Sequence, residues 1–336
     1  MAIACRVAAN LLQRFYDEEA TAYAAYLGKY NENEALRERK RACDVPARAD
    51  PKWRPEDLNG KRVLVIGENF VGDEVLTLGC LEDLRSWCKD IVWRCGAKLQ
   101  PLAQHSFPEV RFITDEEANG DLDLAIHSWQ LIGRFRPSLR EFAWTTSGEF
   151  TPYLRSERPE ADTSSTPRIG LAWHSEGGKP GKSCRIDKIP GWDVFFQTLG
   201  ERARFVSLQH DVTQGATHAA IQAVERRYGV KIFQDPCVDT LNDLRGVAAQ
   251  VAGLDYVVTI STTVAHIAGA LGVPGWLLLP DDPLPHWEAG KHICAWYPTL
   301  VPVRHETPGD WDSAIVRVTQ DLKSRLPRPE PQVSSQ

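Results

Sequence analysis

The sequence predicts an α/β fold in which two parallel-sheet domains follow one another, and three observations lead to that prediction. From Lys61 onward, short apolar runs alternate with amphipathic helical patterns, which is typical of a parallel sheet with helices on its faces. A polar segment rich in turn-forming residues interrupts the alternation at residues 155–167, as a linker would. The length of 336 residues also suits two domains of roughly 100–200 residues. We therefore expect a cleft between two sheets.

The domain boundaries follow from these changes in pattern. Val7, Leu11 and Phe15 share one face of a helix, so residues 1–45 are predicted to form an N-terminal helical extension. The other predicted units are a first sheet domain at residues 58–150, a linker at 151–167, a second sheet domain at 168–325 and a disordered tail at 326–336.

Each predicted strand is a short apolar run, and each predicted helix has apolar residues at helical spacing. In the first domain we predict strands at Arg62–Ile66, Ile91–Cys95, Val110–Thr114 and Leu122–Ile126, with helices near Asp73–Trp87 and Leu99–Ser106. In the second domain we predict strands at Ile169–Trp173, Phe205–Leu208, Lys231–Phe233, Tyr256–Ile260 and Trp276–Leu279. Its predicted helices are near Trp192–Leu199, Gly215–Tyr228, Thr240–Val251, Thr263–Leu271 and Trp311–Leu322.

Composition and charge exclude several classes of protein. The formal net charge of −6 argues against a general nucleic-acid binder, and no apolar run approaches the ~20 residues that span a bilayer. The first twenty residues lack the layout of a signal peptide and favour an amphipathic helix. The eight cysteines contain no Cys-x-x-Cys pair, which favours free thiols in a reducing compartment. We expect a cytoplasmic protein with no transmembrane segment and no nucleic-acid partner.

The first candidate binding site is the helix that follows the apolar run Tyr256–Ile260. Three hydroxyl residues, Ser261, Thr262 and Thr263, mark its start. His266 lies about one turn further along. A helix N-terminus offers unpaired N–H groups and about half a positive charge, so it can bind an anion. The same pattern fits an ordinary Ser/Thr N-cap followed by a core histidine, and the residues alone leave both interpretations open.

A glycine-rich basic loop at residues 174–185 follows the first strand of the second domain. Lys179, Lys182 and Arg185 supply charged donors, and three glycines allow close approach of the backbone to a ligand. The Gly-Lys-Ser ending is similar to a P-loop, but the spacing between its glycines is too short for that motif. The loop is either a source of cations for a phosphorylated ligand or a mobile surface loop.

A third candidate is the segment Gly67–Glu74, which follows the first strand of the first domain and opens a helix. It is not Gly-x-Gly-x-x-Gly, so it does not predict a dinucleotide site. The helix dipole favours Asp73 and Glu74 in a first turn in any protein. The more specific interpretation places Asp73 across the cleft from the anion site, as a general base on an acceptor hydroxyl.

The remaining motifs carry less weight. Asp121-Leu122-Asp123 matches the Asp-x-Asp of metal-dependent sugar transferases, but a solvated turn is the simpler interpretation. The histidines and cysteines show no close metal-ligand spacing, and Gly-x-Ser-x-Gly does not occur. We expect neither a metal site nor a serine hydrolase.

A series of short segments carries a resemblance to a known family. The segments are Leu58–Val65, Gly72-Asp73-Glu74, Ile169–Trp173, Phe205–Gln209, Thr262 with Ala265–Gly272, and Trp296-Tyr297-Pro298. In this order they resemble the inverting sugar transferases of the two-Rossmann (GT-B) type. They look most like the heptosyltransferase-related (glycosyltransferase family 9-like) domain of tetratricopeptide-repeat proteins. The likeness spans roughly residues 50–325, and the N-terminal helices are similar to the end of such a repeat region.

The resemblance implies a role for each matching residue. Asp73 matches the aspartate that serves related heptosyltransferases as the base, and Gly72 and Glu74 are expected to bind substrate beside it. Thr262, Thr263 and His266 match the segment that holds the diphosphate of the nucleotide sugar. Lys182 and Arg185 match the region that lends cations to the leaving group. Gln209 and Ser261 are expected to bind substrate, and Ser261 stands where many relatives carry aspartate.

The resemblance therefore implies a metal-independent, inverting glycosyltransferase. Its co-substrate would be a nucleotide-diphosphate sugar, no further cofactor is expected, and its acceptor would be a hydroxyl of a glycan, a lipid-linked sugar or a protein. Two alternatives stay open. One is a catalytically silent sugar-nucleotide-binding or interaction module of the same fold, which Ser261 and the fused N-terminal helices favour slightly. The other is a nucleotide-sugar epimerase, which needs no acceptor.

Overall fold

Two parallel sheets form the framework of the molecule, which confirms the predicted α/β class. The computed structural model describes residues 2–37, 52–68, 70–117, 119–157, 166–175, 184–210, 215–281, 283–287, 291–305 and 307–327. Within these ranges, the first sheet has four strands and the second has six, and all strand pairs are parallel.

Two helices precede the first sheet, α1 (Ala2–Arg14) and α2 (Tyr16–Arg37). Tyr23 and Tyr26 of α2 are buried, and the Tyr23 hydroxyl donates to the Arg136 carbonyl at 2.7 Å. The predicted helical extension is therefore helical as far as residue 37 and packs on the first sheet domain, while residues 38–45 lie outside the described ranges.

The first sheet domain has a buried central strand. Its elements are β1 (Arg62–Ile66), α3 (Val71–Leu78), α4 (Leu81–Arg85), β2 (Asp90–Arg94), α5 (Gln100–Ser106), β3 (Arg111–Ile113), β4 (Leu124–His127), α6 (Ser128–Phe135) and α7 (Trp144–Ser147). The strand order is β3-β2-β1-β4. Val63 to Ile66 are completely buried, as expected for a strand with helices on both faces.

The second sheet domain repeats this plan with more strands. Its elements are β5 (Arg168–Ala172), α8 (Gly191–Leu199), β6 (Arg204–Ser207), α9 (Ala216–Tyr228), β7 (Ile232–Phe233), α10 (Leu244–Ala252), β8 (Tyr256–Ile260), α11 (Thr263–Ala270), β9 (Gly275–Leu279), β10 (Leu300–Arg304) and α12 (Trp311–Arg325). The strand order is β10-β9-β8-β5-β6-β7, so β8 is a central strand.

The structure differs from the predicted elements at several points. The helix predicted near Asp73–Trp87 is two helices, α3 and α4, because the chain turns at Gly79, where a side chain would meet the ring of Tyr153 at 3.1 Å. The helix predicted from Thr240 begins only at Leu244, where the Asp243 side chain accepts a bond from the Gly246 amide. Helices α6 and α7 and strand β10 were not predicted.

One hydrophobic cluster runs through both sheet domains. It contains Val75 and Leu76 of α3 together with Ala265 and Ala268 of α11, and these two helices pack against each other. A second cluster lies between the other face of the second sheet and helices α8, α9 and α12. The N-terminal turns of α3 and α11 therefore meet in the space between the sheets.

The C-terminal tail begins against the second domain. Arg202 donates to the carbonyls of Leu326 and Pro327, so the start of the predicted tail is held against the second domain. The rest of that tail, at residues 328–336, lies outside the described ranges, as do residues 158–165 of the predicted linker. Among the described helices, none combines the length and the apolar character that crossing a bilayer requires.

Candidate active site between the two sheets

Helices α3 and α11 bring the predicted site residues together. Helix α3 follows β1 and α11 follows β8, so each begins at the carboxyl end of a central strand. Ligands of open α/β sheets bind at such ends. The approach is close at Gly72, because a Cβ there would lie 2.7 Å from Cδ2 of His266. Glycine at position 72 thus lets the two helix starts touch.

The imidazole of His266 is buried in an aromatic group. Its Nδ1 lies 3.0 Å from the Tyr297 hydroxyl, and its ring centroid lies 4.7 Å from that of Trp287 and 4.9 Å from that of His286. Burial, and then the neighbouring His286, lower the pKa of His266 well below its usual 6.5. His266 is therefore neutral at pH 7, and its role towards a diphosphate stays a prediction.

Asp73 lies in the first turn of α3, and its side chain is 18% exposed. Its Oδ1 is 3.6 Å from Nδ1 of His286, which comes from the second domain after β9. A carboxylate partly sheltered from water beside an imidazole suits general base chemistry. The structure thus adds His286, which is not among the predicted site residues, as a neighbour of the predicted base.

Glu74 makes its contacts inside the first domain. It is 1% exposed, and its Oε1 and Oε2 accept bonds from the Gly96 amide at 3.0 and 3.3 Å. A Cβ at Gly67 would lie 2.6 Å from Oε1 of Glu74. Glu74 therefore joins the loops that follow β1 and β2, and its predicted contact with substrate stays a prediction.

The start of α11 has no capping bond from the side chain of its N-cap residue. Thr262 is the N-cap residue, with extended backbone angles of φ −142° and ψ 173°, and its side chain makes no capping bond to the helix. Its hydroxyl lies 3.4 Å from that of Thr259, and Thr263 is half-buried. An N-terminus without a side-chain cap leaves N–H groups for an external anion.

The Ser261 hydroxyl accepts a bond of 2.6 Å from Nε1 of Trp287. Trp287 is 3% exposed, so this bond satisfies an indole donor that burial would otherwise leave unpaired. Ser261 thus links the end of β8 to the segment that carries His286.

Gln209 orders the strand end that precedes the basic loop. Its Oε1 accepts bonds from the amides of Trp173 and His174 at 3.0 and 2.9 Å, and its Nε2 donates to the His174 carbonyl at 2.8 Å. Arg185 is the last residue of the loop and pairs with Asp187 at 3.2 Å. Lys182 lies outside the described residues. The predicted contacts of these three residues with substrate stay predictions.

The Asp-x-Asp motif has a structural role. Arg62 of β1 pairs with Asp121 at 2.5 Å and with Asp123 at 3.0 Å, and the Arg62 amide also donates to Asp123. The Arg62 side chain lowers the pKa of Asp123 to about 2. In the described ranges, no group of three or more His, Cys, Asp or Glu could hold a metal ion.

Sequence reasoning missed the residues that surround His266. Tyr297 was part of the quoted Trp-Tyr-Pro segment, but no role was assigned to it. Its hydroxyl lies 3.3 Å from that of Tyr153, which donates to the Val75 carbonyl of α3 at 3.0 Å. One feature of the sequence could have indicated Pro285-His286-Trp287 as site residues. They follow the carboxyl end of a strand, where the loops of parallel sheets contact ligands.

Comparison with known proteins identifies the fold. The chain is 27% identical over 295 residues to Protein FlbA of Caulobacter vibrioides, and the match covers 81% of the chain and 48% of FlbA. The chain thus spans about half the length of this curated relative. No protein-family model matches the chain.

Three solved structures show the likeness in three dimensions. The glycosyl transferase family 9 protein of Veillonella parvula is 14% identical, with 80% of this chain and 98% of that chain covered and a TM-score of 0.55. ADP-heptose lps heptosyltransferase II of E. coli is 16% identical, with 78% and 96% covered and a TM-score of 0.52.

The third structure is E. coli heptosyltransferase WaaC with ADP-2-deoxy-2-fluoro heptose. It is 13% identical, with 79% of this chain and 99% of that chain covered and a TM-score of 0.52. The two parallel sheets and the helices between them therefore form the GT-B fold of the family 9 heptosyltransferases.

Proposed function

We propose that the chain is an inverting glycosyltransferase that moves a sugar from a nucleotide-diphosphate sugar to an acceptor hydroxyl. The observation that carries this proposal is the juxtaposition of Asp73 on α3 with the start of α11, whose N-cap residue Thr262 makes no side-chain capping bond. One helix start offers a base and the other offers donors for an anion. These are the two groups that the reaction requires.

The leaving group is a nucleotide diphosphate, whose charge increases as the sugar–oxygen bond breaks. The N–H groups at the start of α11 and the hydroxyls of Thr262 and Thr263 are suited to receive that charge. Arg185 and the loop lysine Lys182 would add cations and take the place of a metal ion. Because Arg185 already pairs with Asp187, the diphosphate would have to compete for its guanidinium group.

The acceptor reacts at its hydroxyl oxygen. In the proposed step, Asp73 takes the hydroxyl proton, the acceptor oxygen forms a bond to the anomeric carbon, and the bond from that carbon to the phosphate oxygen breaks. Attack from the side opposite the diphosphate inverts the anomeric centre. A positioned general base contributes about 10²- to 10⁴-fold to such a rate.

ADP-heptose is the first donor to test, because the structurally similar WaaC contains ADP-2-deoxy-2-fluoro heptose. The acceptor would be a hydroxyl of a glycan, a lipid-linked sugar or a protein. Ser261, whose hydroxyl is engaged by Trp287, also supports a second candidate, a catalytically silent module that binds the sugar nucleotide.

The test combines binding with turnover. We expect thermal shifts and calorimetry with ADP-heptose, ADP-glucose, UDP-glucose and GDP-mannose to identify one binding nucleotide sugar, since a ligand that binds only the folded state raises the midpoint. Slow hydrolysis of that donor without acceptor, giving first the inverted anomer in proton NMR, supports a transferase. Binding without turnover supports the silent module, conversion of the donor to an isomer supports an epimerase, and no binding by any donor contradicts the proposal.

A further inference from the structure

The segment between β9 and β10 reaches the candidate site at both of its ends. We call residues 283–297 the crossover segment, of which 288–290 lie outside the described ranges. Near its start, Nδ1 of His286 lies 3.6 Å from Asp73, and Nε1 of Trp287 donates to Ser261 at 2.6 Å. At its end, the Tyr297 hydroxyl lies 3.0 Å from His266. The position of this segment therefore sets the surroundings of both Asp73 and α11.

The middle of the crossover segment is held by a residue of the N-terminal helix α2. Glu19 is fully buried, its Oε2 accepts a bond from the Lys291 amide, and its Oε1 accepts a bond from the His292 amide, both at 2.8 Å. The bonded residues are 272 and 273 positions apart in the chain. One carboxylate thus binds two consecutive amides of a distant segment.

A buried glutamate needs a reason, because removing a carboxylate from water is unfavourable unless hydrogen bonds compensate. Charge-assisted bonds to backbone amides are among the strong hydrogen bonds of proteins, and both oxygens of Glu19 make one. An apolar residue would pack α2 equally well but could not fix the position of the Lys291 and His292 backbone. A glutamate at position 19 therefore indicates that this side chain positions the backbone of Lys291 and His292.

Two further contacts support this part of the crossover segment from the same side. The ring of Phe15, just before α2, lies 4.5 Å from that of His292. Nε1 of Trp144 in α7 donates to the Ala295 carbonyl at 3.0 Å. The N-terminal helices and the first domain together therefore form the support on which the crossover segment rests.

We propose that Glu19 is a positioning residue for the site: by holding the backbone at Lys291 and His292, it keeps His286 against Asp73 and Trp287 against Ser261. This inference rests on the proposed glycosyl transfer. It gives the N-terminal helices a part in the reaction, which they exert through the position of the crossover segment.

The experiment compares Glu19→Gln, Glu19→Asp and the control Glu18→Gln. Glutamine keeps the length of the side chain but offers one oxygen and places an NH₂ group against the second amide. Aspartate keeps both oxygens but is one methylene shorter. Glu18 is the matched control, because from a half-exposed position on the same helix it contacts the side chains of Lys291 at 3.5 Å and His292 at 3.9 Å, whereas Glu19 binds their backbone amides. Circular dichroism melts first establish that each variant is folded at the assay temperature.

The first readout is amide hydrogen exchange of peptides covering residues 291–297, which is independent of catalysis. We expect Glu19→Gln to exchange roughly tenfold faster there, because two charge-assisted bonds are disturbed. Glu19→Asp should be intermediate, and Glu18→Gln should match the wild-type chain. Unchanged exchange in a folded Glu19→Gln, or in folded Glu19→Asp if the glutamine variant does not fold, would show that Glu19 does not hold the segment.

The second readout is turnover of ADP-heptose, or of whichever panel donor the chain hydrolyses. We expect kcat to fall roughly tenfold in Glu19→Gln with a smaller change in donor KM, and to recover partly in Glu19→Asp. Faster exchange with unchanged kcat would overturn the positioning role. If the wild-type chain turns over no donor, the proposed transfer fails together with this role in it, while the exchange data still report whether Glu19 holds the segment.

Discussion

Helices α3 and α11 begin in equivalent places, each after a central strand of its sheet, but their first turns carry opposite chemistry. Helix α3 has two carboxylates there, Asp73 and Glu74, whereas α11 has no acidic residue in its first turn. In neither helix does a side chain of the N-cap residue make a capping bond. The two starts lie side by side because residue 72 is glycine.

The difference indicates which helix start is suited to bind an anion. The partial positive charge at the start of α3 is already balanced by its own carboxylates, and a diphosphate there would face their repulsion. The start of α11 presents N–H groups and hydroxyls without a fixed negative charge. We therefore expect the base and the anion site to be separate, with α3 providing the first and α11 the second.

The largest expected effect comes from removing the carboxylate of α3. Asp73→Asn should lower transfer by about 10²- to 10⁴-fold, because an amide cannot take the acceptor proton, while nucleotide affinity measured by calorimetry survives. The matched control is Glu116→Gln, an exposed carboxylate of the same domain. Unchanged turnover in Asp73→Asn would show that Asp73 is not the base. The difference in charge between the first turns of α3 and α11 would then have no role in catalysis.

The next effect comes from forcing the two helix starts apart. In Gly72→Ala, the new methyl group would lie 2.7 Å from the buried ring of His266, so the helices must shift. We expect the free energy of unfolding to fall by about 1–3 kcal/mol. We also expect turnover to fall by up to about 10²-fold, since Asp73 moves with the helix.

A double-mutant cycle tests this explanation. If the clash with the ring is the cause, adding His266→Ala to Gly72→Ala should cost less stability than the sum of the two single changes, in urea titrations of all four chains. Strict additivity would show that the two residues do not interact.

His266 offers a smaller effect with two separable parts. We expect His266→Ala to weaken nucleotide affinity modestly in calorimetry, because the ring supports the first turns of α11. An unaltered affinity would show that His266 is a core residue with no part in nucleotide binding. Stability should also depend on pH. The pKa of His266 is lowered in the folded state, so the unfolded chain binds the extra proton first.

This pH effect has one direction. The contribution of His266 to the free energy of unfolding is fully present above the unfolded pKa of about 6.5 and is lost as the pH falls below it. Urea titrations of the wild-type chain should therefore show a decline in stability below that pH that is weaker in His266→Ala. Parallel declines in both chains would assign the effect to other groups.

The smallest expected effect comes from a residue that belongs to neither α3 nor α11, and it serves as a reference for the other variants. Asp123→Asn removes an exposed partner of Arg62. The pKa of Asp123 is lowered to about 2 in the folded state. Its contribution to stability is therefore present above the unfolded value of about 4 and is lost as the pH falls towards 2. We expect a small decrease in Tm at pH 7 that disappears near pH 2, with turnover unchanged. A loss of turnover would restore a catalytic role to the Asp-x-Asp motif.

The sequence predicted the parts of the fold that depend on local patterns. The predicted boundaries of β1 and β8 agree with the structure, because both are continuous apolar runs buried between helices. Strand β10 was missed since Pro302 interrupts its pattern, and proline is tolerated there because β10 is an edge strand. Helix α7 has only four residues, too few for a helical period to be recognised.

The surroundings of the site could not be predicted in the same way. The approach of His286 to Asp73 and the bonds from Glu19 to the crossover segment join residues more than two hundred positions apart. No periodicity in a single sequence encodes such contacts. The likeness to a known family pointed to the strand ends where α3 and α11 begin but assigned no role to Tyr297, Trp287 or Glu19. The association with tetratricopeptide repeats stays a prediction.

The hydrophobic cluster that joins α3 to α11 has a consequence for how the chain folds and melts. Its apolar residues come from both sheet domains, so neither domain can bury its share of that cluster alone. The two domains should therefore form one cooperative unit, with a single calorimetric transition in which the van't Hoff and calorimetric enthalpies agree. Cutting the chain at residues 158–165 should then yield two fragments that are each more stable when they are mixed than when they are apart.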